Sequence, residues 1–138
     1  MSDSTVTLVG TLGKDPELRY TTGGRGVVSF SMAVNRSWKQ NDEWKQETSW
    51  FNVVAWGDLG EHVAESLVKG NRVIVFGRLE QRSYETRDGE KRSTTEVIAD
   101  AVGPDLKFAT ATVVKVERDR PSNDSRRADP VYDAEEPF

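Results

Sequence analysis

The 138-residue sequence contains no cysteine and only one histidine, His62. No disulfide can form, no thiolate can hold a metal, and one imidazole cannot supply a cluster of histidine ligands. Long apolar runs are missing as well. With no stretch of about 18 apolar residues, the chain offers no candidate membrane-spanning helix. The opening MSDSTVTLVG lacks the basic, apolar and small-residue order of a secretory leader, so a cytoplasmic location is expected. An excess of positive charge is also absent. Residues 1–116 carry 15 Lys/Arg against 16 Asp/Glu, and residues 117–138 carry 4 against 7. Bulk charge therefore does not favour nucleic acid, and any such binding must come from local patches.

Catalytic constellations are equally scarce. His62 falls on the exposed flank of a short helical stretch. TTGGRG (21–26) is glycine-rich but lacks the Gly-Lys-Ser/Thr ending and the strand-to-helix setting of a phosphate cradle, so it reads as a turn. The carboxylates are scattered among basic residues. No enzyme and no cofactor is expected.

What the chain does have is period-two alternation, the mark of half-buried strands. TVTLVGTLG, ELRYT, VVSFSMAVN, TSWFNVVAWG, NRVIVFGRLEQRSYET and STTEVIADAV are separated by turn-forming segments. In the third of these, Val28, Phe30, Met32 and Val34 face one way and Ser29, Ser31, Ala33 and Asn35 the other. KQNDE (39–43) reads as a hairpin tip, and Asp88-Gly89 is a strong short-hairpin signal. One stretch has helical spacing, DLGEHVAESLVKGN (58–71), in which Leu59, Val63 and Leu67 recur every four residues. Asp58 is placed to cap its start and Gly70 to end it. ELRYT is not counted separately, so the order is three strands, a helix and two strands. That is the order of an all-β, five-stranded OB-fold barrel with one short helix between strands 3 and 4. Strand count alone also allows a sandwich. Residues 1–107 form the barrel domain on this reading. FATATVVKV (108–116) suggests an extra strand, and residues 117–138, rich in charge and poor in apolar groups, read as a disordered acidic tail.

The aromatic residues carry the functional signal. Of four tryptophans, none lies inside VVSFSMAVN. Trp38 ends that strand, Trp44 sits near the hairpin tip with little core to enter, and Trp50 and Trp56 share one strand face. Tyr84 lies at the far end of the fourth strand. Trp38, Trp50 and Tyr84 read as surface residues, whereas for Trp56 core and surface are equally open. Basic residues are interleaved with these rings, and this is the make-up of a stacking platform for unpaired bases.

With these residues assembled, the chain resembles the bacterial single-stranded DNA-binding protein family. The carrying stretches are LVGTLGKDPELRYTTGG, TSWFNVVAWGDLGEHVAESLVKGNRVIVFGRLEQRSYETRDGEKRSTTEV and the terminal EEPF. GPDLKFATATVVKV further resembles the actinobacterial branch, in which an added strand clamps neighbouring subunits. The resemblance implies single-stranded DNA as ligand and a homotetramer built as a dimer of dimers. It places Trp38, Trp50, Trp56 and Tyr84 at base-stacking positions, Phe51 at a subunit contact and Arg82 near phosphate. Lys39, Lys69, Arg72 and Arg78 join Arg82 on charge and placement. The tip, with Asp133, Glu135, Glu136, Pro137 and Phe138, would recruit replication and repair enzymes, although its tether looks like that of a short-tailed paralogue. The rival reading is an OB-fold assembly module that touches nucleic acid little.

Overall fold

A computed structural model describes residues 3–117. The elements are β1 (Thr5–Leu12), β2 (Glu17–Tyr20), β3 (Gly26–Gln40), β4 (Glu43–Trp56), α1 (Gly57–Ser66), β5 (Arg72–Glu85) and β6 (Lys91–Pro104). One sheet runs β1-β5-β6-β4-β3-β2, and a further β1–β3 pairing closes it. β1 and β2 are two halves of a single barrel strand. Both lie antiparallel on β3, with Thr11 opposite Ala33 and Leu12 opposite Met32, then Glu17 opposite Ser29 through Tyr20 opposite Gly26. The break between them shifts the register by two residues and lets β1 turn away to pair with β5 from Thr5 to Thr11. Counted this way, five strands make the barrel and the helix follows the third, as the sequence order implies. A parallel contact, Asn52–Val54 beside Glu96–Ile98, seals the remaining seam.

Alternation explains the core. Val28, Phe30 and Met32 from β3 meet Val53 and Ala55 from β4, Val73 and Val75 from β5, Val97 and Ala99 from β6, and Leu8 and Leu12 from β1. Each such side chain contributes about 1.5–3 kcal/mol by leaving water. Val63 of α1 and Leu67 just after it close one end, with Leu59 packed beside them. The ends of α1 differ from expectation. Trp56 is the N-cap residue, without a side-chain cap, and Asp58 lies inside the first turn, where it still faces the positive helix end. The helix stops at Ser66, and Gly70 (φ +91°) shapes the following turn instead of ending the helix.

Two hairpin turns are built alike. In Thr21–Arg25 and in Thr86–Glu90, the first threonine's N–H donates to the fifth carbonyl (2.9 Å in both) and its carbonyl accepts from the glycine N–H. Its Oγ1 also accepts from the fifth N–H, at 3.1 and 3.2 Å. The fourth position holds Gly24 (φ +87°) or Gly89 (φ +82°), a conformation that costs other residues about 1 kcal/mol or more. The Asp88-Gly89 pair therefore marks a five-residue loop and not a two-residue turn.

Beyond the barrel, β3 and β4 continue as a solvent-exposed arm through residues 35–50. Asn35 accepts from the Thr48 hydroxyl (2.7 Å), and Arg36 pairs with Glu47. At the tip, Asn41 (φ +52°) and Asp42 (φ +64°) make the two-residue turn whose twist suits a hairpin. After β6, the Arg72 guanidinium bonds Asp105 (2.6 Å), while Asp105 accepts from the Lys107 N–H (3.0 Å). The Arg72 bond holds the Asp105 carboxyl below its ordinary range. The pin is thus complete above ordinary carboxylate pH and loosens as pH falls through that lowered value.

Residues 108–116, expected as an extra strand, pair with no strand within this single chain. A strand exists only where another edge accepts its hydrogen bonds, and this segment meets none among the described residues. The tip residues Asp133, Glu135, Glu136, Pro137 and Phe138 lie outside the described residues.

Candidate nucleic-acid interface

β4 presents one pleat face to solvent along its length. Trp44, Trp50 and Trp56, each six residues from the next, lie on that face because side chains alternate with period two. At 3.3–3.4 Å per residue, successive rings stand about 20 Å apart. Their β3 partners are Lys39, Ala33 and Val27. Trp44 is 71% exposed and Trp50 62%, while Trp56 is half-buried. Such rings add little to the core and are open to a ligand.

Trp50 is seated by a glycine. A Cβ on Gly13 would lie 2.6 Å from the Trp50 ring, so only glycine lets the indole rest against the end of β1. The Gly13 N–H donates to the Ser31 carbonyl at 3.0 Å, which fixes this seat to β3.

Between Trp50 and Trp56 runs a polar groove of about 310 Å³. Ser31 Oγ donates to Asn52 Oδ1 (3.2 Å) on its floor, Lys14 and Asp15 form one wall, and Glu96 forms the other. Arg82 reaches Glu96 with a 2.8 Å hydrogen bond, and this bond raises the guanidinium's pKa, securing its charge. The pair is exposed on the arginine side and contributes little stability. Its effect is to balance a carboxylate beside the groove.

Glu96 thus links Arg82 to the groove beside β4, and Lys69 meets the same groove through its N–H, which donates to Asp15 Oδ1 at 2.8 Å. Tyr84, 51% exposed, follows Arg82 on the same face of the β5–β6 arm. Trp38 is on the opposite pleat of the β3–β4 arm, with Arg36 over its ring at 5.1 Å. Lys39 stands opposite Trp44 and approaches Asp42 at 4.0 Å. Arg72 and Arg78 lie elsewhere. They flank Ile74 and Phe76 on the outer face of β5, with Arg72 bound to Asp105 and Arg78 3.9 Å from Glu80. Phe51 points inward and packs against the core.

Three residues lie outside the site expected from the sequence. Trp44 was treated as part of a tip because its strand was read as starting at Thr48, although the six-residue spacing was there to be seen. Arg25 was read only as part of a turn. Its Cζ lies 4.7 Å from the Trp56 ring centroid, a contact worth about 0.5–1 kcal/mol at an exposed site. Lys14 had no sequence signal beyond its charge.

A second surface is apolar. Val9, Ile74 and Phe76, each about 40% exposed, form a strip across β1 and β5. Beside it, the second edge of β1 from Thr5 to Gly10 has no strand partner among the described residues. Among the described residues, no group of three His, Asp or Glu is placed to hold a metal, and no helix is long and apolar enough to cross a membrane.

A family model described as the single-strand binding protein family matches residues 3–105. The single-stranded DNA-binding protein of Mycobacterium leprae is 50% identical over 124 residues, covering 84% of this chain and 71% of its own. That of Mycolicibacterium smegmatis is 49% identical over 124 residues, covering 84% and 72%. The crystal structure of the small single-stranded DNA-binding protein from Streptomyces coelicolor aligns with a TM-score of 0.66 at 30% identity, over 77% of this chain and 97% of that one.

Proposed function

The chain belongs to the single-strand binding protein family, and from that membership we propose that it coats and protects single-stranded DNA during replication, repair or recombination. The carrying observation is the face of β4, where exposed tryptophans flank a polar groove. Bases stack on Trp50 and Trp56, with Trp38 and Tyr84 extending the path onto the two arms and Trp44 adding a further ring. Arg82 and Lys69 serve phosphates beside the groove, with Lys39 on the arm. Arg72 and Arg78 would serve a strand that leaves the groove around β5. Each stacked base is worth about 1–3 kcal/mol, whichever base it is, so sequence preference is slight. A site of about 4–16 nucleotides per barrel is the OB-fold range. The expected result is strong quenching of tryptophan emission by oligo-dT, retention on single-stranded but not duplex DNA, and an affinity falling with salt by about 0.7 log units per log unit for each phosphate contact. An intact protein that shows no quenching at low salt would sink this reading.

One observation favours the rival assembly module: Arg72, Arg78, Arg82 and Lys39 are all within 4.0 Å of a carboxylate. A strand must outcompete these partners for each cation. Equal retention on single-stranded and duplex columns would favour the rival.

The open β1 edge and the Val9–Ile74–Phe76 strip support assembly of barrels into a homotetramer, a dimer of dimers, with Phe51 as a contact and 108–116 as a clamp strand that finds in a neighbour the edge it lacks here. Light scattering should report four chains, and a monomer would remove this proposal. The division into residues 1–107, 108–116 and 117–138 follows the same plan, with the protein acting at the nucleoid in the cytoplasm. The tip is proposed to recruit replication and repair enzymes, its Phe138 ring and carboxylates suiting an apolar pocket with a basic rim. Deleting residues 133–138 should abolish capture of such enzymes and leave DNA affinity equal or higher. A lower affinity would contradict it.

A further inference from the structure

Arg25 stands apart from four other cations near the tryptophans. Arg36, Lys39, Lys45 and Arg82 each have a carboxylate within 4.0 Å, whereas Arg25 has none among the described residues. Its guanidinium lies instead on the Trp56 ring at 4.7 Å, covering a face that a base would need. The backbone beneath it is fixed, because the Arg25 N–H and carbonyl both bond Thr21. Only the side chain is free to move. Val27, two residues on, is the register partner of Trp56, so the Arg25 backbone stands at that end of the β3–β4 ladder.

We propose that Arg25 is a gate and phosphate ligand at Trp56: with no strand bound it occupies the ring, and a bound strand takes the ring while the guanidinium swings onto the neighbouring phosphate. This rests on the single-stranded DNA reading above. The exchange runs downhill, since a base on an indole outweighs an exposed guanidinium on it and no ion pair must break. The planar guanidinium serves both stations, while an ammonium serves the second better than the first.

The test compares Arg25→Ala and Arg25→Lys with the unaltered protein, by oligo-dT titration across a salt series and by tryptophan emission of the free proteins. Arg25→Ala should bind more weakly at low salt, with a log–log salt slope shallower by about 0.7 per barrel engaged. Arg25→Lys should keep the slope. Emission of the DNA-free protein should change in Arg25→Ala, and the change should vanish when Trp56→Leu is also present. An unchanged slope in Arg25→Ala, or tighter binding, would overturn the phosphate role. Unchanged free emission would overturn the gate. If the unaltered protein itself fails to bind oligo-dT, the DNA reading falls rather than the role of Arg25.

Discussion

Replacing Trp50 with alanine is expected to weaken oligo-dT binding by about 1–3 kcal/mol, a loss of roughly five- to 150-fold, while leaving the melting temperature nearly unchanged. Both halves come from the same geometry. The indole is 62% exposed and stands outside the buried cluster, so the barrel keeps its packing without it. Surface changes of this kind usually stay within about 0.5 kcal/mol in stability. For a ligand, however, Trp50 is the middle of three rings on one face, two residues from Asn52 in the groove that Lys14 and Glu96 line. Its orientation is set by Gly13, where no side chain fits beneath the ring. Anisotropy of a labelled oligonucleotide reads the affinity, and thermal unfolding reads the fold. An unchanged affinity would remove Trp50 from the DNA path.

Replacing Gly77 with alanine should do the reverse, costing the fold about 1–3 kcal/mol or more. Gly77 sits in β5 on the inward pleat, at the register shift where Phe76 pairs with Ala101 but Gly77 with Ala99. A Cβ there would collide with the Ile98 carbonyl oxygen and stand 2.9 Å from Ala99 Cα. These are backbone atoms of the neighbouring strand, so relief requires pulling β5 from β6 and cannot come from a side-chain rotation. Gly103→Ala is the matched control: it lies in the same ladder, opposite Ile74, with nothing within 4 Å of its would-be Cβ. Melting at one fixed protein concentration should separate the two substitutions clearly. Equal midpoints would mean that the crowding at Gly77 is relieved elsewhere.

Where burial dictates the pattern, the sequence was easy to read. Val28, Phe30 and Met32 alternate with polar residues because one pleat face is dry, and the barrel order followed from such runs. The arms were harder. Residues 35–50 are exposed on both faces, so no alternation marks them, and the polar KQNDE and KQET segments resemble loop. Backbone pairing from Arg36–Glu47 to Gln40–Glu43, closed by a tight turn, keeps them as strand anyway. That is why Trp44 lay hidden in a tip. Asp58 looked like a cap because its residue type suits one, yet the chain enters the helix two residues earlier, at Trp56. Segment 108–116 has strand-like composition, but hydrogen-bond partners are not written in composition. Arg82 meets the tryptophan-bearing β4 through Glu96 because the parallel β4–β6 seam sets Glu96 beside Asn52. Residues so far apart in the chain give no local sign of that juxtaposition.

The split first strand has a consequence in time. β3 and β4 are joined by two residues, so their ladder can zip from Gln40–Glu43 as soon as both are made. β1 must wait, because Val6 pairs with Gly77 and Gly10 with Val73, and closing so long a loop costs entropy before any contact repays it. A chain still emerging from the ribosome therefore has its tryptophan-bearing hairpin, and the Ser31 carbonyl that anchors Gly13, before β5 is made. The tryptophan face is drawn early, and the barrel is closed last, when β1 meets β5.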